Sequence, residues 1–158
     1  MTSKTTSISA ADRERLIEAA IQAKQFAYSP YSKFRVGAAF LTTTGEIVKG
    51  ANIENASYGG TICAERTAIV KAVSEGIKSF VALAVVTDVK AALSPCGLCR
   101  QVIREFCSLK MPIFLAPADY FERKANAKED GDDGVKERTL EELLPDSFGP
   151  EDLELPRS

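Results

Sequence analysis

Three cysteines and one glutamate lie in two short segments whose composition indicates metal chemistry. The first segment is the tripeptide CAE that begins at Cys63, and the second is PCGLC, which contains Cys96 and Cys99. Both lie where a helix is predicted to begin, so their sulfurs face the N-terminal end, where the helix dipole favours thiolate. Zinc prefers four ligands, and three thiolates leave one position open. The sequence therefore predicts a zinc site that is available for chemistry.

Glu65 lies two residues after a predicted ligand, where it can stand beside the metal without binding it. A carboxylate there can take a proton from a metal-activated water and deliver it to a substrate nitrogen. Zinc deaminases combine three cysteine ligands, or one histidine and two cysteines, with a non-ligand glutamate and a P-C-x-x-C segment. Glu65 is therefore predicted to be the catalytic acid and base.

Cys107 is the remaining cysteine of the chain. It lies roughly two helical turns beyond Cys99, or about 12 Å along a helix axis, so we expect a buried core residue. Two alternatives stay open at this point. A four-cysteine zinc module would serve folding alone and leave Glu65 without a role. A thioredoxin-like redox pair at Cys96 and Cys99 would explain neither Cys63 nor Glu65.

The composition excludes several other kinds of protein. The chain has 158 residues, 45% of them hydrophobic and 27% charged, which fits one folded domain. The formal charge of −2 gives no basic field, so nucleic-acid binding over a large surface is not expected. The chain has no histidine, which excludes Ser-His-Asp and Cys-His catalysis and any histidine-ligated metal.

The chain also lacks the patterns of membrane insertion and export. No apolar run reaches the about 20 residues that a membrane helix needs. The first residues, MTSKTTSISAADRERL, have no apolar stretch of the secretory kind. We therefore expect a cytoplasmic protein, whose cysteines stay reduced.

Hydrophobic periodicity predicts the elements that must position the candidate site. Apolar runs bounded by turn residues predict strands, and apolar residues at helical spacing predict helices. Their order predicts an α/β fold with three α-β-α layers and a mixed central sheet of about five strands. The predicted helices cover about 10–28, 63–75, 96–106 and 139–144, and the predicted strands 36–42, 47–51, 80–87 and 112–116.

The rest of the single domain predicted over residues 1–158 is polar or charged. Residues 1–8 are predicted to form a loose tail, and residues 122–138 a charged loop that ends in a short strand. A calcium loop from Asp130 is rejected, because Val135 stands where glycine is required and Gly134 offers no side-chain oxygen.

Five segments in this order resemble the cytidine deaminases, specifically the small homotetrameric type whose zinc ligands are all cysteines. The resemblance runs from about residue 12 to residue 153. The chain departs from the family mainly in the acidic segment near 122–138, which is longer than expected. The carrying segments are YSPYSKFRVGAA from Tyr28, GANIENASY from Gly50, CAER from Cys63, SPCGLCRQ from Ser94, and LLPDSFGP from Leu143.

The resemblance implies one zinc ion per subunit, held by Cys63, Cys96 and Cys99. Glu65 would move a proton from the water to N3 of the pyrimidine and then to the leaving amine. Three thiolates on Zn²⁺ leave a net charge of −1, which makes the bound water less acidic. Arg66 is expected to draw charge from the sulfurs and restore that acidity.

The resemblance also implies substrate contacts and a shared site in a homotetramer. Asn52 and Glu54, which alternate along extended backbone, would hold the ribose 3′-hydroxyl, and Phe34 would pack on the base. The Ala64 N–H would donate to the 2-oxo group of the pyrimidine, and the Ser94 carbonyl would accept from its 4-amino group. Tyr58 and Phe148 would reach the pocket of a neighbouring subunit.

The implied activity is hydrolytic deamination of cytidine and deoxycytidine to uridine and deoxyuridine with release of ammonia, a step of pyrimidine salvage. One alternative is a deaminase of a nucleoside-like antibiotic, which Asn52 and Glu54 disfavour because they suit a ribose. Another is a polynucleotide-editing protein, which the near-neutral charge and the lack of a basic groove with interleaved aromatics disfavour. The third alternative is the structural zinc module, which would catalyse no reaction.

Overall fold

A five-stranded mixed sheet lies at the centre of the structure, a computed structural model that describes residues 7–127 and 131–157. The strands are β1 (Val36–Thr42), β2 (Ile47–Ala51), β3 (Phe80–Thr87), β4 (Pro112–Ala116) and β5 (Lys136–Thr139). Their order in the sheet is β2-β1-β3-β4-β5. Only β3 and β4 pair in parallel, and the other neighbours are antiparallel. The predicted mixed sheet is confirmed.

Helices cover both faces of this sheet, as the three-layer prediction requires. Their bounds are α1 (Ala10–Lys24), α2 (Ala64–Ser74), α3 (Gly97–Phe106), α4 (Tyr120–Asn126) and α5 (Leu140–Leu143). Because side chains alternate along a strand, β1 sends Phe40 into a cluster with α2 and α3, and Leu41 into a cluster with α1 and α4. The α2 and α3 face carries the candidate site.

A glycine on β2 lets α2 lie directly on the sheet. A Cβ at Gly50 would lie 2.5 Å from Ala64 O and 2.5 Å from Ala68 N, both backbone atoms of α2. The same helix ties down this edge of the sheet, because Lys71 Nζ donates to Lys49 O at 2.6 Å. The start of α2 is thereby fixed relative to β2.

The helix starts follow the sequence closely. Ser9 caps α1, because its side-chain oxygen accepts from Asp12 N at 3.0 Å. Helix α3 begins one residue later than predicted, with Cys96 as its N-cap, so Pro95 precedes the cap and does not occupy the first helical position. Within the described ranges no helix is both long and apolar enough to cross a membrane.

The charged segment differs from its prediction. The predicted loop over 122–138 is wrong up to Asn126, because α4 occupies that part, and β5 forms the short strand expected at its end. Tyr120, only 1% exposed, anchors α4 in the core, and Lys124 forms an ion pair with Glu14 of α1. Residues 128–130, which include Asp130 at the start of the rejected calcium loop, lie outside the described residues.

The predicted N-terminal tail falls mostly outside the described part of the chain. Residues 1–6 are not described, and Ser7 is exposed. Ile8, the last residue of that tail, packs against the α1 cluster. Ile8 therefore belongs to the packed part of the domain.

Candidate active site

Three sulfurs meet where α2 and α3 begin. Cys63 is the N-cap of α2, Cys96 is the N-cap of α3, and Cys99 lies in the first turn of α3. The Sγ atoms of Cys63 and Cys96 are 3.7 Å apart, those of Cys96 and Cys99 are 3.4 Å apart, and all three lie within 4.8 Å of one another. A tetrahedral zinc with Zn–S bonds of about 2.3 Å separates its sulfurs by about 3.8 Å. The cluster therefore fits Zn²⁺.

Cys107 lies at the opposite end of α3, where it follows the last helical residue. It is 7% exposed, and burial raises the pKa of its thiol to about 12. Among the described residues, the one cluster with metal-binding spacing contains the three other cysteines. The alternative of a four-cysteine structural module therefore does not fit the structure.

The cluster concentrates negative charge at Cys63. A hydrogen bond from Cys99 and the neighbouring Arg66 lower the pKa of the Cys63 thiol to about 5. Arg66 Nη2 lies 3.4 Å from Cys63 Sγ, as expected for a residue that draws charge from the sulfur. The hydrogen bond to Cys63 and burial raise the pKa of the Cys99 thiol. Metal binding would release the remaining thiol protons.

Glu65 lies against this cluster from inside the protein. It is 4% exposed, and its Oε2 lies 3.6 Å from Cys99 Sγ. Burial raises the pKa of its carboxyl group, which favours the protonated form. A buried carboxyl group beside a metal site is suited to carry a proton between water and a bound molecule.

Asn52 binds two backbone groups that flank Arg35. Its Nδ2 donates to Phe34 O at 2.8 Å, and its Oδ1 accepts from Val36 N at 2.8 Å. The residue is 8% exposed. Asn52 therefore fixes the backbone of another predicted substrate contact, a role that the sequence analysis did not assign to it.

Glu54 is held by the loop before β1. Its carboxylate accepts from Tyr31 N at 2.9 Å, from Ser32 N at 3.2 Å and from the Ser32 hydroxyl. The Ser32 hydroxyl lowers the pKa of Glu54, so the group is ionised at neutral pH. Tyr58 lies beside it, with its ring centroid 5.7 Å from that of Tyr31. With Thr61, these residues line a cavity of about 250 Å³.

Comparison with known proteins assigns the chain that contains this cysteine cluster to a family. The model of one family, described as the cytidine and deoxycytidylate deaminase zinc-binding region, matches residues 10–115. The chain belongs to this deaminase family. A cytidine deaminase of Sporosarcina psychrophila is 51% identical over 142 residues, which cover 90% of this chain and 95% of that protein. A cytidine deaminase of Halalkalibacterium halodurans is also 51% identical, over 90% of this chain and 98% of its own.

Solved structures of cytidine deaminases share the fold of this family member. The enzyme from Burkholderia pseudomallei has a TM-score of 0.72 and 39% identity, covering 89% of this chain and all of its own. The cytidine deaminase from Mycobacterium tuberculosis has a TM-score of 0.69 and 38% identity, covering 87% of this chain and 98% of its own. The α/β fold predicted from the sequence is thus confirmed by comparison as well.

The other predicted contacts of the deaminase site lie at helix starts and on exposed segments. Ala64 is the buried first residue of α2, whose N-cap makes no side-chain capping bond. The Ser94 hydroxyl accepts from Arg100 Nη2 at 2.8 Å. Tyr58 is 75% exposed and Phe148 is 63% exposed, so most of each residue is left uncovered by its own chain.

Two residues that contact predicted site residues were not assigned a role from the sequence. Ser32 holds Glu54 through its hydroxyl and its backbone N–H, and Arg100 contacts the loop that leads into Cys96. Both lie inside segments that resemble the family. Their position next to motif residues was the one available signal, because residue type alone does not reveal a backbone partner.

Proposed function

We propose that this protein is a zinc-dependent deaminase that converts cytidine and deoxycytidine to uridine and deoxyuridine, with release of ammonia, in pyrimidine salvage. One observation carries the proposal: buried Glu65 lies 3.6 Å from Cys99 within a three-sulfur cluster that fits zinc. Membership of the deaminase family supports the pyrimidine substrate. A structural zinc site would not require a buried carboxyl group beside it.

Zinc bound by the three cysteines would supply a water activated for attack at C4 of the pyrimidine. Glu65 takes the proton of that water and delivers it to N3. After the water oxygen has bonded to C4, Glu65 carries the remaining proton of that oxygen to the 4-amino group. The C4–N bond breaks, and ammonia leaves. The pKa of Glu65, which burial raises above its ordinary value, supports this role, because a carboxyl group with an ordinary pKa holds a proton poorly at neutral pH.

Residues around the pyrimidine would fix its orientation. The Ala64 N–H at the start of α2 donates to the 2-oxo group, and the Ser94 carbonyl accepts from the 4-amino group. Phe34 packs on the base, while Asn52 and Glu54 hold the ribose 3′-hydroxyl. The ionised state of Glu54 supports this role, because a carboxylate accepts a hydroxyl proton strongly.

The experiment that tests this function combines Glu65→Gln with metal analysis. The variant keeps the side-chain shape but cannot carry the proton, so we expect wild-type zinc content and a loss of about 10²–10⁴-fold in kcat. Glu75→Gln is the matched control, because Glu75 is exposed at the other end of α2. It should keep full activity.

The substrates in that assay separate the alternatives. Ammonia release is measured with cytidine, deoxycytidine, cytosine and a cytosine-containing oligonucleotide. Turnover of the two nucleosides supports the proposal, whereas turnover of the oligonucleotide alone would support an editing enzyme. Most of the wild-type activity surviving in Glu65→Gln would remove Glu65 from the mechanism.

We further propose a homotetramer with shared active sites. The exposure of Tyr58 and Phe148 supports it, since aromatic rings left uncovered by their own chain can complete a neighbour's pocket. The test mixes Phe148→Ala chains with Glu65→Gln chains. Mixed oligomers regain some intact pockets if Phe148 acts on a neighbour, whereas Phe148→Ala alone does not. An active monomer, or no complementation in verified mixed oligomers, would rule out a shared pocket.

A cytoplasmic location and a single domain over residues 1–158 complete the proposal. The metal site needs three reduced cysteines, and the cytosol keeps thiols reduced. Both hydrophobic clusters use the same sheet, which supports one cooperative unit. Cell fractionation tests the location, and a single calorimetric transition tests the domain.

A further inference from the structure

Arg100 binds three acceptors in two separate parts of the chain through one guanidinium group. Nε donates to Pro95 O at 2.6 Å, Nη1 donates to Leu143 O at 2.7 Å, and Nη2 donates to Ser94 Oγ at 2.8 Å. Its backbone N–H donates to Cys96 O at 3.0 Å. The first turn of α3, the loop before it and the end of α5 are thus joined at one residue.

All three side-chain acceptors are neutral groups. Among the ion pairs of the described residues none contains Arg100, although arginine in proteins usually pairs with carboxylates. Hydrogen bonds from a charged donor are roughly twice as strong as neutral ones, and the planar guanidinium fixes their directions. The Arg100 side chain therefore fixes the positions of the Pro95 and Leu143 carbonyls and of the Ser94 hydroxyl.

The loop that Arg100 holds leads directly to a predicted zinc ligand. Residues 88–96 lie between β3 and α3 and have no regular secondary structure. Cys96 ends this loop, is exposed, and makes no side-chain capping bond. Cys99, in contrast, is buried inside α3. The position of Cys96 Sγ relative to Cys99 Sγ therefore depends on the loop being held.

We propose that Arg100 is a positioning residue that fixes the loop from Ser94 to Cys96 against α3 and Leu143. It keeps Cys96 Sγ in place for the metal and the Ser94 carbonyl in place for substrate. The part that concerns substrate rests on the proposed deaminase function. Lysine cannot replace it, because a single ammonium group cannot reach three acceptors in fixed directions.

The test measures zinc release from the loaded protein to an excess of chelator, together with kcat and KM for cytidine. Loss of a residue that orients a metal ligand typically costs about 10- to 100-fold in metal affinity or activity. We expect Arg100→Gln to release zinc about 10-fold faster or more, and Arg100→Lys not to restore the wild-type rate. Arg15→Gln, on the exposed face of α1, controls for loss of a positive charge.

Ser94→Ala removes only one of the three acceptors and keeps the fold testable if Arg100→Gln does not fold. It should speed zinc release by a smaller factor, and the double variant should release zinc no faster than Arg100→Gln alone. Wild-type release rates in Arg100→Gln, or in Ser94→Ala where the arginine variant is unfolded, would overturn the proposal. Absence of cytidine turnover in the wild type would refute the deaminase function, while zinc release still reports on Arg100.

Discussion

Replacing Gly50 with alanine tests how closely α2 must lie on β2. The new Cβ would lie 2.5 Å from Ala64 O and from Ala68 N, whereas ordinary contact begins at 3.4 Å. Neither backbone atom can rotate away, so the start of α2 must move by about 1 Å. Glu65 follows Ala64 directly, and it must move with the helix.

The displacement has two separate costs. Overpacking of a core costs about 1–3 kcal/mol, and rigid backbone neighbours place Gly50→Ala near the upper figure. For a chain of this length, about 3 kcal/mol lowers Tm by about 6–12 °C. A 1 Å misplacement of a catalytic group costs about 100-fold in rate, so kcat should fall by about that factor even in the folded variant.

The assay compares Tm and kcat of the zinc-loaded variant with those of Gly97→Ala. Gly97 lies beside Cys96 in the first turn of α3, and a Cβ there would meet no heavy atom within 4 Å. Gly97→Ala should therefore keep the wild-type Tm and kcat. A Gly50→Ala protein with unchanged Tm would show that α2 adapts without strain. A lower Tm with full kcat would show that Glu65 does not follow the helix.

Three further predictions concern the fourth cysteine and the C-terminal segment. Cys107→Ala should keep wild-type zinc content by metal analysis, whereas alanine at each of the three clustered cysteines should deplete it; zinc loss in Cys107→Ala would restore the four-cysteine module. Arg104 lowers the pKa of Glu151, so this pair stabilises the segment above about pH 4.3 and loses its effect as pH falls through the lower folded value. The rate of proteolysis within 147–157 should therefore rise at acidic pH in the wild type, whereas it should be high at every pH in Glu151→Gln. Equal rates in the two proteins at neutral pH would show that the ion pair does not stabilise the segment. Gly149→Ala should loosen the same segment at neutral pH, because its Cβ would meet the Arg104 guanidinium, and unchanged proteolysis would contradict this.

The strands could be predicted with their bounds because their signals are local. The runs at Val36–Thr42, Ile47–Ala51, Phe80–Thr87 and Pro112–Ala116 are apolar and end at turn residues, and the structure has the same limits. Burial on both faces requires such a composition in the central strands. Nothing distant in sequence was needed to recognise them.

Helix α4 could not be predicted because distant contacts stabilise it. Its sequence YFERKAN shows no apolar periodicity, and Tyr120 is its one buried residue. Arg13 and Glu14 of α1 form ion pairs with Asp133 and Lys124, more than 100 residues away. Local sequence contains no trace of such pairs.

The candidate site also contains residues that the sequence predicts and contacts that it does not predict. The cysteines and Glu65 were predicted because their residue types and spacing are tied to their chemistry. The bonds of Asn52 to the backbone at Phe34 and Val36 were not, because a carbonyl or amide partner has no signature in the sequence. Arg100 was overlooked for the same reason.

Both outer edges of the sheet carry features that oppose pairing with a further strand. On one side β5 is four residues long, is mostly exposed and has the sequence KERT, and charged side chains on an edge strand oppose pairing with another chain. On the other side the Lys49 carbonyl of β2 is already occupied by the Lys71 ammonium group. We therefore do not expect a second copy to bind by continuing the sheet. The subunits of the proposed homotetramer would then meet through helices and loops, the surfaces on which Tyr58 and Phe148 are found.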